Sequence, residues 1–473
     1  MAGIGFQLKN LLKEDRYTSD FKANLYALML SSGPWIFAVI CIAALNLIAS
    51  RDMSSRDILF FRAIVVYVFA FSLVTTSLFQ LTITRFISDK LFQREYGSLL
   101  PNFAGVMLLC GVVNFFVSWS YVAFLPMEFG LKVLSVVLFC TVGYQWIVMA
   151  FLGTVRDFVR ITVIFLAGFV MSFVLAVLLG ASLKVTGYLL GFTIGQMAVL
   201  LLLVERIVSE FPFGKNGIFE FTLYFKNYPT LVWAAFFYNL GFWVDKIIIW
   251  YSRLGFNIPS NSEPFFRGQY PYDSAAFLAT LTIIPALSIF FLHVETNFYA
   301  GLRHYIQVIL NKGTLIDIER QRRQMMNVLR TELSDVFKVQ FLVTLIMVLI
   351  APNFLESIGY LREVLLKTYI LLLIGAFFQV MLLALVVLLW YLELLKESFV
   401  CIMVFFLANL VFNIVLVPSY AAHTVPLGTG YLAAAVIGVA VTFLVLRKRL
   451  GSLNYLTFMQ KPLHEAQREM PKF

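Results

Sequence analysis

Twelve apolar runs, each about long enough to cross a bilayer, divide this chain of 473 residues. No water in the hydrocarbon core can satisfy a bare backbone, so a run of about 20 such residues crosses it as a helix. The runs fall at 24–49, 60–83, 103–125, 131–152, 161–180, 185–204, 230–251, 274–292, 336–351, 365–390, 399–417 and 428–446. The fold class they predict is all-α: a polytopic membrane protein of twelve transmembrane helices. A polar stretch splits the runs six and six, which predicts two six-helix lobes around a central path.

Composition agrees. The chain is 61% hydrophobic and 13% charged, against about half and a quarter for a soluble domain. No loop is long enough to hold a further globular domain. The net charge of +10 reads as Lys and Arg on cytoplasmic loops facing an anionic lipid bilayer, not as affinity for nucleic acid. Cys41, Cys110, Cys140 and Cys401 all fall inside apolar runs and read as small core hydrophobes. The four histidines are scattered, with no HExxH and no Cys/His cluster, and nothing resembles a P-loop. Neither a metal nor a cofactor is expected, and no enzyme. The first run is too long for the apolar core of a signal peptide, so it is expected to stay as a helix.

With the N-terminus inside, about 26 Lys and Arg fall on cytoplasmic segments and about 9 on outer ones, which places both termini in the cytoplasm. Residues 1–23 then form a cytoplasmic amphipathic segment and 24–204 a first lobe. Residues 205–229, with Pro212, Gly214, Gly217 and Pro229, are the linker. Residues 230–446 form the second lobe, and 447–473 a basic tail. Within the second lobe the loop 293–335 carries Met325, Met326, Leu329, Leu333 and Val336 at helical spacing. Beside them Arg320, Arg322, Arg323 and Arg330 supply charge. This predicts an amphipathic helix that lies on the inner surface or docks a partner. Small residues recur every fourth position in the fifth run (Gly168, Ser172, Ala176, Gly180) and the sixth (Gly187, Gly191, Gly195). They predict a closely packed antiparallel hairpin.

The candidate substrate path rests on polar groups inside the runs. Asp245 and Lys246 are the sharpest, because each charge within a span costs about 2.5–3.5 kcal/mol. Neighbours on a helix point about 100° apart, so one is expected to line the path while the other snorkels outward. Arg62, Gln80, Asn239, Trp35 and Trp243 join them as candidates, since hydroxyl-rich ligands need amides, cations and flat aromatic faces. Amides such as Asn114, Gln145, Gln196, Gln379, Asn409 and Asn413 also suit helix–helix hydrogen bonding. Gly33-Pro34 in the first run and Pro285 in the eighth predict kinks, with hinge roles open to them.

Several stretches resemble one family. They are Ala2-Gly3-Ile4-Gly5-Phe6, Ser32-Gly33-Pro34-Trp35, Tyr238-Asn239-Leu240-Gly241-Phe242-Trp243-Val244-Asp245-Lys246, and Tyr272-Asp273-Ser274 leading to Thr282-Ile283-Ile284-Pro285-Ala286. In this order they are similar to PelG, the membrane transporter family of bacterial Pel exopolysaccharide systems. The resemblance implies a multidrug/oligosaccharidyl-lipid/polysaccharide (MOP, MATE-like) fold. It also implies export of an amino-sugar-containing polysaccharide across the bacterial inner membrane for biofilm matrix. Implied partners are a PelF-like cytosolic glycosyltransferase and PelD-like and PelE-like membrane proteins. Three other readings stay open at this point: a flippase for lipid-linked oligosaccharide, a cation-coupled drug exporter, and a structural scaffold for a synthase complex.

Overall fold

The computed structural model describes residues 37–49, 53–153, 158–214, 217–258, 266–357 and 363–459. Gly33, Pro34, Trp35, the amphipathic segment 1–23 and residues 460–473 lie outside the described residues. The helices are α1 (Phe37–Ala49), α2 (Ser55–Phe92), α3 (Leu99–Val122), α4 (Phe129–Leu152) and α5 (Phe158–Glu210). Next come α6 (Thr222–Asn227), α7 (Pro229–Tyr251), α8 (Tyr270–Leu281), α9 (Ile284–His293), α10 (Tyr299–Leu310) and α11 (Leu315–Ser357). The last are α12 (Glu363–Tyr391), α13 (Leu395–Ala421), α14 (Thr429–Gly451) and α15 (Leu453–Met459). The expected spans from the second to the twelfth fall on these helices, the eighth divided between α8 and α9, and α1 is the described end of the first. The only sheet among the described residues is a short antiparallel hairpin, β1 (Phe256–Asn257) with β2 (Arg267–Gly268).

The fifth and sixth spans are two helices that meet at a kink and together make up α5. α5 runs for 53 residues and folds back at Lys184, whose φ of 51° and ψ of −131° are not helical. The predicted connection of about four residues is thus a single residue. The small residues explain how the limbs come so close. A Cβ on Gly195 would strike Ser172, one on Gly191 would strike Ala176, and one on Gly187 would strike Leu179 O. These are backbone-to-backbone contacts, the use predicted for the four-residue stripe. Buried polar groups add to the seam: Gln196 Nε2 donates to Ser172 Oγ at 3.1 Å.

Pro285 acts where expected. α8 ends at Leu281, and α9 begins at Ile284 with the proline in its first turn. Proline has no N–H to offer Leu281, and its fixed φ suits a helix start.

The loop 293–335 differs from expectation. After a π-helical turn at Val294–Phe298, α10 turns back along the first half of α11. Met325, Leu329 and Val336 are buried there, in one cluster with Phe298, Leu302, Leu446, Leu450 and Leu453. The apolar face therefore packs against the chain's own α10, α14 and α15. A protein surface formed by residues 446–453 lies close enough to cover it, and pattern alone could not reveal that. Tyr305 OH donates to Asn454 Oδ1 at 2.9 Å, and Arg322 Nη1 donates to Gly451 O at 3.2 Å.

A first core cluster joins α1 to α5, and two others pack α7 to α15. Trp250, Ile258 and Phe266, which come from the second half of the chain, insert into the first cluster. The linker after α5 folds under the first half. Asn102 fixes it by donating to Gly217 O at 3.0 Å and accepting from Phe221 N at 3.1 Å.

Candidate translocation path

α2 and α7 face each other across the boundary between the halves and run antiparallel. They are bridged at both ends. On the face that charge counting predicts to be outer, Tyr67 of α2 stacks on Trp250 of α7, with centroids 4.9 Å apart and planes 14° apart. Tyr121 stacks on the other side of Tyr67 at 6.0 Å, and Phe266 packs edge-on against both tyrosines. Tyr67 OH donates to Arg267 O at 2.8 Å and accepts from Arg267 N at 3.2 Å, so β2 is pinned over this end of the seam. Arg62 lies over the Tyr270 ring at 4.4 Å. That contact gives the guanidinium an aromatic face from the other half.

On the opposite, basic face, Arg85 of α2 donates to Glu393 in the turn between α12 and α13 at 2.9 Å, and its Nε lies 3.2 Å from Asp89 in an ion pair. Its guanidinium also lies 5.5 Å from the Tyr228 ring. Lys90 reaches Glu220 of the linker at 3.2 Å. Arg85 thus joins distant parts of the chain. Its partner lies 308 residues away, and nothing in the pattern near either residue points to the other.

Asp245 and Lys246 are both buried, at 0% and 6% exposure. The expected split, with one in the path and one snorkelling outward, does not occur in this conformation. The lysine stem is long enough to fold back, and its ammonium lies 3.2 Å from Asp245 Oδ2 while donating to Phe242 O at 3.0 Å. The Phe242, Trp243 and Tyr431 rings surround it at 4.7, 5.8 and 5.2 Å. Tyr272 OH donates to Asp245 Oδ2 at 2.5 Å. The 100° argument fails here because it fixes the direction of Cβ, not of an ammonium four carbons further on. Asp273, one residue along from Tyr272, accepts from Trp250 Nε1 at 2.8 Å. One chain of contacts thus runs from Lys246 through Asp245, Tyr272 and Asp273 to Trp250 and the Tyr67 stack.

The remaining candidates are spread along α2 and α7. Gln80 is half-buried on α2. Asn239 donates to Ala235 O of its own helix at 2.9 Å. The indole N–H of Trp243 is buried without a hydrogen-bond partner. Most other amides hold helices together. Gln145 Nε2 donates to Gln196 O at 2.9 Å, Asn409 Nδ2 to Gly241 O at 2.8 Å, and Gln379 Nε2 to Tyr238 OH at 3.0 Å. Arg322 is occupied by the end of α14, whereas Arg320, Arg323 and Arg330 are exposed.

The family described as "PelG: Putative exopolysaccharide Exporter (EPS-E)" matches residues 1–458. No curated protein sequence matches. Among solved structures, a MATE transporter in complex with MaL6 is similar at a TM-score of 0.60 and 11% identity, over 91% of this chain and 97% of that one. A MOP superfamily transporter from Pyrococcus furiosus, whose binding pocket is described as of reverse polarity, gives 0.58 at 14% identity over 90% and 96%. An outward-facing MATE transporter gives 0.59 at 14% identity over 91% and 96%, and an inward-facing one 0.57 at 12% over 88% and 95%. At these identities the likeness is one of fold. The fold is the one that these transporters share.

Proposed function

The chain belongs to the PelG family of exopolysaccharide exporters, and from that premise we propose that it exports an amino-sugar-containing, Pel-type polysaccharide across a bacterial inner membrane for biofilm matrix. The observation that carries the reading is the family match through residues 1–458 on a MOP-type fold. The polymer passes along the α2–α7 seam, with both chain termini and the Arg85–Glu393 end in the cytoplasm. The two lobes, 24–204 and 230–446, part first at one end and then at the other. When the outer end parts, the faces of Tyr67, Tyr121 and Trp250 come free for sugar rings to stack on. Exposed Arg320, Arg323 and Arg330 face the cytosol and dock the synthase complex of a PelF-like glycosyltransferase with PelD-like and PelE-like proteins. Gly33-Pro34 and Pro285 serve as hinges.

The cation-coupled drug exporter is the weaker reading. It needs a membrane carboxylate that can take up a transported ion, and Asp245 is already bound by Lys246 and Tyr272. Reconstitution in proteoliposomes offered polymer, lipid-linked oligosaccharide or a cationic drug tests the choice. Movement of polymer, lost on replacing both Tyr67 and Trp250 by Ala with membrane insertion intact, is the expected result. Drug efflux without polymer movement overturns it.

A further inference from the structure

Where α9 leaves the apolar layer, three metal-binding side chains from distant parts of the sequence meet. His293 is the last residue of α9, and Glu332 and Asp335 lie three residues apart on one face of α11. One ligand atom from each lies within 4.8 Å of the other two. At metal–ligand bonds of about 2.0–2.2 Å, neighbouring donors around one ion stand roughly 3–3.5 Å apart. Small side-chain rotations therefore suffice to bring this set onto a single ion.

Two further observations point to a ligand. Glu332 is only 7% exposed, and its Oε2 lies in ion-pair contact with His293 Nδ1. A buried carboxylate is costly unless something positive meets it, and a neutral imidazole does not supply that charge. Its other oxygen is held: Asn297 Nδ2 donates to Oε1 at 2.8 Å, which aims Oε2 at the histidine. This is how an outer amide orients a metal ligand. Asn297 itself sits in the π-helical turn Val294–Phe298, a widening of the helix found most often at functional sites. Asp335 keeps a second oxygen beside its contact to the exposed Lys338.

We propose that His293, Glu332 and Asp335 form a divalent-cation site that ties the end of α9 to α11. One imidazole nitrogen with two carboxylates suits Zn2+ or Mn2+. The all-oxygen preference of Ca2+ and Mg2+ argues against those ions. The ion neutralises the paired carboxylates and clamps the roots of the eighth and ninth spans, from which the α10–α11 hairpin projects. Residues about forty positions apart carry the site, which is why the scattered histidines showed no sign of it.

The test is metal content. The full chain, purified in detergent and stripped with EDTA, is titrated with Zn2+ or Mn2+, desalted and analysed by mass spectrometry of the metal. One ion per chain is expected, with a thermal midpoint that rises on metal addition. Glu332→Gln and His293→Gln are expected to lose the ion and the shift while keeping the wild-type elution volume and helical spectrum. Asn297→Ala keeps all three ligands and is expected to weaken affinity by roughly tenfold or more. Wild-type protein that takes up no ion, or Glu332→Gln and His293→Gln variants that bind as wild type does, overturns the proposal and leaves His293 and Glu332 as an ion pair only.

Discussion

Replacing Lys246 by Met removes the ammonium that faces Asp245 and nearly preserves the shape of the side chain. The cost follows from the geometry. At 3.2 Å and an effective dielectric constant of about 20, the pair attracts by about 5 kcal/mol. Asp245 is fully buried, so water cannot replace the lost partner. Leaving one member of such a pair unmatched costs about 3–5 kcal/mol. The hydroxyl of Tyr272 remains and places the expected loss toward the lower end. At roughly 2–4 °C per kcal/mol for a unit of this size, the thermal midpoint falls by roughly 6–20 °C. Asp245→Asn leaves the ammonium to Phe242 O and three rings and is also destabilising. The double variant carries no buried charge, and it is expected to recover most of either loss, because replacing both members of a buried pair is often neutral. The assay is thermal unfolding of the wild type, both single variants and the double variant in one detergent, read as a double-mutant cycle. Losses that simply add, or a Lys246→Met variant as stable as wild type, refute the claim that the two charges neutralise each other.

Other expectations are more local. Gly195→Val puts a branched side chain against the Ser172 backbone, and overpacking of about 1–3 kcal/mol or more is expected; the thermal midpoint and the yield of folded protein check it. Lys184→Gly relieves a positive φ and is expected to stabilise by about 1 kcal/mol, seen as a higher midpoint; a fall would mean that the lysine side chain is worth more than the turn strain. Arg85→Glu and Glu393→Arg each break the bridge across the basic face. Combined, the two are expected to restore in a polymer-export assay what each alone removes. An equally defective double variant would show that charge pairing is not what matters there.

The sequence made the helices legible and left their meetings hidden. Hydropathy found the second to twelfth spans because the requirement that buries backbone in a bilayer acts residue by residue. It missed how far α2 and α11 run past the apolar layer, since a helix beyond the membrane needs only hydrogen bonds and neighbours. The glycine stripes of α5 were readable because close approach demands the absence of a side chain at regular spacing. Arg85 with Glu393, Tyr67 with Trp250, and Tyr305 with Asn454 were not, since each depends on the packing of segments far apart in sequence. The amides show a different limit: a Gln in a span looks alike whether it serves a sugar or another helix, and only partners such as Gln196 O for Gln145 separate the two.

The one-residue turn at Lys184 bears on how the chain is made. α2 and α3, by contrast, are joined by a polar connector, residues 93–98. The limbs of α5 have none, and their glycine faces fit each other with no lipid between them. Residues 158–210 are therefore expected to leave the translocation channel as a single hairpin. A substitution in that seam will show first as failed insertion and degradation during synthesis, before any transport defect could be measured.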